Sequence, residues 1–361
     1  MTLQDSKKNV LICPQHWGLG HVTRTIPIIH YFLNRSHRVV LACSGAGSDL
    51  LKLEFPQLPI YEIVDYGMTY PTGNMYLNMG LQIFQLHKAI WKEKKQIAKI
   101  CQQEQVDLII SDSRFGASQK SIPSVIISHH LHLPLGNKFL EIMIDRWMRI
   151  FYVKFDQIWT PDFVGNVNLS GELSHLFKSN KHHFIGPVSR FDKKDLAIKY
   201  QVAFLLSGPE PQRTYFENQI LDQLKNMDLK NVILIRGTQL PSKKVFPSYL
   251  EVIDLATGDQ LNNILYASEL IVSRSGYTTL MDLAVIKKPA LLVPTPGQPE
   301  QEYLGRELMR KKKFLCIDQK NLKLNLHLQE ALQYDGFSDF PSLDSLEEQL
   351  DSLVESNELW G

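Results

Sequence analysis

Short apolar runs recur along the chain, each too short for a helix and not alternating with polar residues. Asn9–Cys13, Val39–Ala42, Asp107–Ser111 and Pro123–Ile127 are of this kind, and Gln157–Asp162 (QIWTPD) adds a strand and turn. A second series follows at Val202–Leu206, Asn231–Ile235, Val252–Asp254, Leu270–Val272 and Ala290–Val293. Runs rich in Val, Ile and Leu without period-two alternation are strands buried on both faces, as in parallel sheets. Helical spacing separates several of them. Ile26, Ile29 and Leu33 share one side of a helix over 21–33, and Leu280, Leu283 and Ala284 share one after Gly276. A long helix over 81–104 carries Lys88, Lys92, Lys94, Lys95 and Lys99, read as a solvated face. The pattern predicts an α/β protein built on parallel sheets.

The stretch Glu269–Leu308 is the most informative. It reads as strand, small-residue turn (Ser273-Arg274-Ser275-Gly276), helix, strand, polar loop (Pro294–Gly297) and a helix starting near Pro299. In such a unit the first helix directs free N–H groups and its positive dipole end at the crevice beyond the strand ends, which suits an anion. Arg274, Ser275, Thr278 and Thr279 can add hydrogen bonds, and Asp282, one to two turns later, can accept from a pair of sugar hydroxyls.

In the amino-terminal half the first strand leads into Pro14–His21, a loop with Gly18 and Gly20 that allows close backbone approach to a substrate. A dinucleotide fold would need an acid at the end of the second strand; Ala42-Cys43-Ser44 stands there, which sets a dehydrogenase aside. His21 falls at a helix N-terminus, where the dipole disfavours imidazolium and favours the neutral form of a base. It reads either as that base or as a helix cap; His16 is the poorer candidate. Asp112 ends its strand on the crevice side, as partner to an imidazole or as cap of the next segment. His129 and His130 follow another strand end; on extended chain they point to opposite sides and make a poor chelating pair, and one of them is expected to line an acceptor site. Residues 61–80 are aromatic and Met-rich without clean periodicity, either covering an acceptor or completing the core.

At 361 residues the chain is long for one core, so two domains are expected. A net charge of +1 gives no field for nucleic acid. The first residues lack the apolar run of a signal peptide, and no stretch is long enough to span a bilayer. Four scattered cysteines without a CxxC pair fit reduced thiols in the cytoplasm. Residues 138–155 are apolar with interspersed Arg146, Arg149 and Lys154: a core helix is the safer reading, a helix lying on a membrane surface the other. Asp344–Glu348 reads as a capping-box start to a last helix with Leu346, Leu350 and Leu353 in one stripe.

Arg274-Ser275-Gly276, Asp282-Leu283-Ala284, Pro289-Ala290, Pro294 and Gln301-Glu302-Tyr303 together resemble the C-terminal half of glycosyltransferase family 28. Gly18-Leu19-Gly20-His21-Val22-Thr23-Arg24 is similar to the glycine-rich loop of a mostly prokaryotic branch of that family. The resemblance covers roughly residues 9–315. It implies the B-type architecture: two Rossmann-like domains facing a cleft, 1–190 on the acceptor side and 200–340 holding the nucleotide sugar. The polar stretch Asp192–Lys199 would be the hinge, and a last helix in 341–361 would cross back to the first domain. It further implies an inverting hexosyltransferase that takes a UDP-sugar, with His21 as general base and Asp112 as its partner. Ser207, Gly208 and the Ser275-Gly276 turn would face the donor diphosphate, Asp282 the ribose, and Gln301 and Glu302 the sugar or diphosphate. The main chain at Ile253 would read the uracil edge. Two departures stand out: the ribose acid is usually Glu, and Glu302 replaces a common second Gln. No Asp-x-Asp triplet occurs, so no metal and no cofactor are expected. The partners implied are a nucleotide-sugar donor and a hydroxyl acceptor. The expected location is cytoplasmic, with 138–155 as the segment for peripheral membrane contact. The rivals are an isomerase resembling the UDP-N-acetylglucosamine 2-epimerases and a non-catalytic nucleotide-sugar-binding subunit. Donor sugar, acceptor and oligomeric state are left open.

Overall fold

Val10–Cys13 are wholly buried, so the run that opens the chain is a central strand with apolar neighbours on both faces. The computed structural model describes residues 7–16, 19–67, 80, 82–238, 246–256, 258–341, 346–354 and 359–360. Among these the chain forms two units, one running to Val188 and including the C-terminal helix, the other starting at Ser189.

The first unit holds a seven-stranded sheet. Its strands are β1 Asn9–Pro14, β2 Arg38–Cys43, β3 Ile60–Glu62, β4 Leu108–Asp112, β5 Ser124–Ile127, β6 Gln157–Thr160 and β7 His182–Phe184. The order β3-β2-β1-β4-β5-β6-β7 is parallel throughout. Helices α1 Leu19–Asn34, α2 Gly45–Glu54, α3 Ile83–Glu104, α4 Lys138–Tyr152 and the short α5 Glu172–His175 connect the strands. The lysines of α3 are exposed as expected, opposite buried Leu86, Ile90, Ile97 and Ile100. Strand order reverses between β1 and β4, which opens a crevice at their carboxyl ends.

The second unit repeats the plan with six strands: β8 Tyr200–Leu205, β9 Val232–Ile235, β10 Leu250–Ile253, β11 Ser268–Ser273, β12 Ala290–Leu292 and β13 Leu315–Cys316. The order β10-β9-β8-β11-β12-β13 is again parallel and reverses between β8 and β11. Its helices are α6 Gln212–Leu224, α7 Gly258–Tyr266, α8 Tyr277–Ile286, α9 Pro299–Arg310 and α10 Leu324–Ala331. The expected α/β architecture with two Rossmann-like halves is thus present.

The last helix, α11 Leu346–Val354, packs on the first unit. Leu350 and Val354 are buried, while Tyr31 Oη of α1 (2.8 Å) and Arg35 Nη2, just beyond that helix (2.6 Å), donate to Asp351. Buried Leu350 belongs to the expected stripe; Leu353 is only half-buried, and the capping-box residues Asp344 and Ser345 lie outside the described residues.

One ion pair ties the loops above β1–β3 to α3. Arg114 Nε donates to Glu93 Oε1 at 2.5 Å, with both side chains fully buried. Arg114 Nη1 also reaches Gln15 Oε1 (3.1 Å) and Ser44 Oγ (3.3 Å), and Nη2 reaches the Val64 carbonyl. Glu93 in turn accepts from Tyr66 Oη (2.5 Å) and the Gly116 amide (2.8 Å). Removing one member leaves a buried charge alone, so Arg114→Leu is expected to cost about 3–5 kcal/mol in urea unfolding. The double variant Arg114→Leu, Glu93→Leu should recover part of that loss; equal loss in both would show the pairing is not what matters.

Candidate active site

The β1–α1 loop delivers His21 as the third residue of α1, inside the first turn rather than at the cap. Its Nδ1 lies 3.1 Å from Asp112 Oδ1, at the carboxyl end of β4. Register explains the meeting. Pro14 pairs with Asp112 across β1 and β4, and the Gln15 amide donates to the Asp112 carbonyl at 3.0 Å. Asp112 has no solvent exposure. Burial by itself would push its carboxyl up, but the Arg24 guanidinium and the His21 ring outweigh this and hold it well below the usual carboxylate range.

Arg24 is a residue to which the sequence reading gave no role. It stands one turn after His21 on the same helix face and is buried. Nε donates to Asp112 Oδ2 at 2.6 Å and Nη2 to Asp112 Oδ1. Nη2 also lies 2.8 Å from His21 Nδ1, and Nη1 lies 3.1 Å from His129 Nδ1. The only trace of this in the sequence was a cation three residues beyond the candidate base. His16, ranked lower from the sequence, has partners of its own: Ser44 Oγ lies 3.3 Å from its Nδ1, and Asp65 Oδ2 lies 3.3 Å from its Nε2.

His129 and His130 depart from expectation. β5 ends at Ile127 and the chain turns, so the two rings stack with centroids 6.0 Å apart instead of facing opposite sides. His129 is buried and meets the His21–Asp112 group through Arg24; His130 is half-buried beside it. Gly20 is the second residue of α1, its carbonyl accepting from Thr23 Oγ1 at 3.1 Å, whereas Gly18 lies outside the described residues. Of the segment 61–80, residues 68–79 lie outside them too; Ile63 and Tyr66 are core.

In the second unit the loops after β8 and β11 stand at the switch point of the sheet. Ser207 and Gly208 are exposed, and Gly208 has φ +102°, a conformation that favours glycine. Gly276 stands at the N-cap of α8 with extended backbone and gives its first turn no side-chain hydrogen bond. Thr278 and Thr279 are half-buried in that first turn. Two expectations need correction here. The Arg274 guanidinium is buried, donates to the carbonyls of Val293 (3.1 Å), Pro294 (3.1 Å) and Gln212 (3.2 Å), and lies over the Phe216 ring. Ser275 Oγ donates to the Gln301 carbonyl at 2.8 Å. Both side chains face inward because the turn that bares the helix start also packs against the neighbouring loop. Burial pushes Arg274 down to about 10.

Gln301 and Glu302 brace that neighbouring loop. Gln301 Oε1 accepts from the Thr295 amide (2.9 Å), and Glu302 Oε1 accepts from the Gly297 amide (3.1 Å). Thr295 Oγ1, buried and without a hydrogen-bond partner, lies 3.6 Å from where a Cβ on Gly208 would stand. A buried hydroxyl of this kind calls for a partner. Asp282 is half-buried, accepts from Ser189 Oγ at 2.6 Å, and is raised by burial to about 6. The Ile253 carbonyl accepts from the Arg236 amide at 2.8 Å at the end of edge strand β10. Among the described residues no cluster of three or more His, Cys, Asp or Glu is placed to hold a metal ion.

Residues 204–336 match the model of the glycosyltransferase family 28 C-terminal domain. The chain is 21% identical over 309 residues to an uncharacterized glycosyltransferase of Methanopyrus kandleri, covering 81% of this chain and 85% of that one. It is 22% identical over 323 residues to the UDP-N-acetylglucosamine–N-acetylmuramyl-(pentapeptide) pyrophosphoryl-undecaprenol N-acetylglucosamine transferase of Lawsonia intracellularis, covering 84% and 82%. A spinosyn rhamnosyltransferase complexed with thymidine diphosphate shares the fold at TM-score 0.63 with 12% identity, over 96% of both chains.

Because the Asp112 carboxyl is held low, the stability it contributes is complete above its unfolded value near 3.8 and is lost as pH falls below it. Urea midpoints measured from pH 6 to pH 3 should therefore fall more steeply in the wild type than in Asp112→Asn. Parallel curves would contradict the assigned charge state. At neutral pH the Asn variant, with Arg24 left buried and unpaired, should lose on the order of 3 kcal/mol.

Proposed function

We propose that this chain, a glycosyltransferase of the family 28 type with the B-type fold, moves a sugar from a UDP-sugar to a hydroxyl acceptor with inversion. The observation that carries the reading is the His21–Asp112 pair at the switch point of the first sheet. A neutral hydroxyl is a weak nucleophile. With Nδ1–H donated to Asp112, His21 has a lone pair at Nε2 to take the acceptor proton as the oxygen attacks the anomeric carbon. A positioned base contributes about 10²–10⁴-fold. The bond to the diphosphate breaks on the opposite face, which inverts the configuration.

The donor side of the reading rests on the second unit. Charge gathering on the leaving diphosphate would be met by the N-terminus of α8, with Thr278, Thr279, the unpartnered Thr295 hydroxyl and the loop at Ser207-Gly208. Arg274, Ser275, Gln301 and Glu302 take a supporting part in this scheme, holding the two loops against each other. Asp282 would accept from the ribose hydroxyls, and the main chain at Ile253 would read the base. The uridine preference is inferred from the Lawsonia relative, whose name specifies UDP-N-acetylglucosamine. The spinosyn enzyme holds thymidine diphosphate, so the base is a real choice between two pyrimidines.

The face of α4 supports a peripheral membrane role. Phe139, Leu140, Ile142, Met143 and Ile150 are exposed on a helix that also carries Arg146 and Arg149, while Met148, Phe151 and Tyr152 pack inward. No described helix is long and apolar enough to cross a membrane.

Three outcomes are expected. In a thermal-shift panel, UDP and one UDP-sugar should stabilise the protein and GDP should not; equal shifts, or none, would sink the donor assignment. UDP affinity by calorimetry should rise as pH passes about 6, where Asp282 ionises and becomes a double acceptor, and should rise less steeply in Asp282→Asn, where only the terminal phosphate of UDP, with a second pKa of about 6, still titrates. In flotation with vesicles containing anionic lipid the protein should rise, and Ile142→Asp, Met143→Asp should stay at the bottom. Equal flotation of that double variant would remove the α4 reading.

A further inference from the structure

Arg24 is too well placed to be a passive counter-ion. We propose that Arg24 is a positioning residue for His21, resting on the reading of His21 as base. Its single guanidinium holds Asp112, contests the His21 Nδ1, and fixes which nitrogen of His129 carries the proton.

The groups facing His21 come from three elements. α1 supplies Arg24; the end of β4 supplies Asp112, followed by Ser113; the loop after β5 supplies His129, reached through Arg24, with His130 stacked behind it. In a bare imidazole–carboxylate pair the full negative charge stabilises the imidazolium that forms on proton uptake. Here both Asp112 oxygens already accept from one guanidinium, in a two-point fork that stays charged at any working pH. A cation 2.8 Å from Nδ1 works against a second positive charge on the ring.

The same contact divides the neutral tautomers. Nδ1 lies 2.8 Å from Arg24 Nη2, which only donates, and 3.1 Å from Asp112 Oδ1, which only accepts. When Nδ1 accepts from Arg24, the proton sits on Nε2 and the ring is no base there. When Nδ1–H donates to Asp112, Nε2 is free to take a proton. One ring nitrogen cannot do both. A substrate hydroxyl donating to Nε2 selects the second tautomer, so the acceptor itself completes the base. At His129 the geometry is one-sided. Arg24 Nη1–H points at Nδ1 at 3.1 Å, so neutral His129 carries its proton on Nε2 and offers a donor there.

The test uses the full chain with ¹⁵N-labelled histidine, followed by NMR through a pH titration. In the wild type, His129 should be the Nε2–H tautomer at neutral pH; an Nδ1–H signal would overturn the proposal without any variant. In Arg24→Gln the His21 tautomer population at neutral pH should shift toward Nδ1–H, because the guanidinium that competes with Asp112 for Nδ1 is gone. Arg24→Lys keeps the charge but not the fork. It should release the His129 tautomer preference. A His21 tautomer population that does not move in Arg24→Gln, with the fold intact by its melting curve, contradicts the proposal. Should Arg24→Gln not fold, the Lys variant and the wild-type tautomer decide the matter alone. These readouts need no turnover. The proposal can therefore fail while His21 remains the base, and a His21→Ala enzyme that turns over normally would defeat the base reading without touching them.

Discussion

A carboxylate with no access to water must meet positive charge, and the first unit is arranged around that requirement at Asp112. The β1–β4 pairing sets Asp112 beside Pro14, and the loop leaving β1 therefore returns its helix start directly over the buried acid. Residues 21 and 24 of α1 both face it, one as imidazole and one as guanidinium. Strand register, helix spacing and the charge state of one acid are thus a single constraint. The Arg114–Glu93 pair beside it answers the same requirement with one bond from β4's following loop to α3, and the remaining guanidinium nitrogens give the loops above β1–β3 a fixed floor.

On the proposed reading the second unit meets a different demand, the accommodation of an anion rather than of an acid. Its switch-point loops leave the start of α8 without a side-chain cap and a Thr295 hydroxyl unpartnered, while Arg274 gives the turn its shape from inside by binding three carbonyls. A buried guanidinium bonded only to carbonyls adds positive potential behind the helix start, and it does so without touching solvent. The helix dipole and this inner charge favour the same sign of ligand.

Much of this was legible before any coordinates. Continuous apolar runs such as Val10–Cys13 and Leu270–Val272 declare themselves because strands buried on both faces have no polar positions to keep. The short edge strands Ile60–Glu62, His182–Phe184 and Leu315–Cys316 have no such run and were not foreseen; their pairing comes from the sheet beside them. Helix α2, which opens with glycines, was equally silent. At the site, residue type and strand position pointed to His21 and Asp112. Direction did not follow from type. Arg274 and Ser275 turn inward because of how two loops pack, and His129 stacks on His130 because the chain bends just after β5. Arg24 was part of a quoted motif, yet its role needed the third element that brings Asp112 and His129 to it.

Transfer as proposed needs an imidazole that takes a proton from a hydroxyl, and chemical rescue tests this most directly. His21→Ala should bind UDP as the wild type does yet transfer sugar at least about 10²-fold more slowly, and added imidazole should restore a good part of the rate. A His21→Ala enzyme that transfers at the wild-type rate, or one whose loss imidazole leaves untouched while UDP binding collapses, would contradict the assignment.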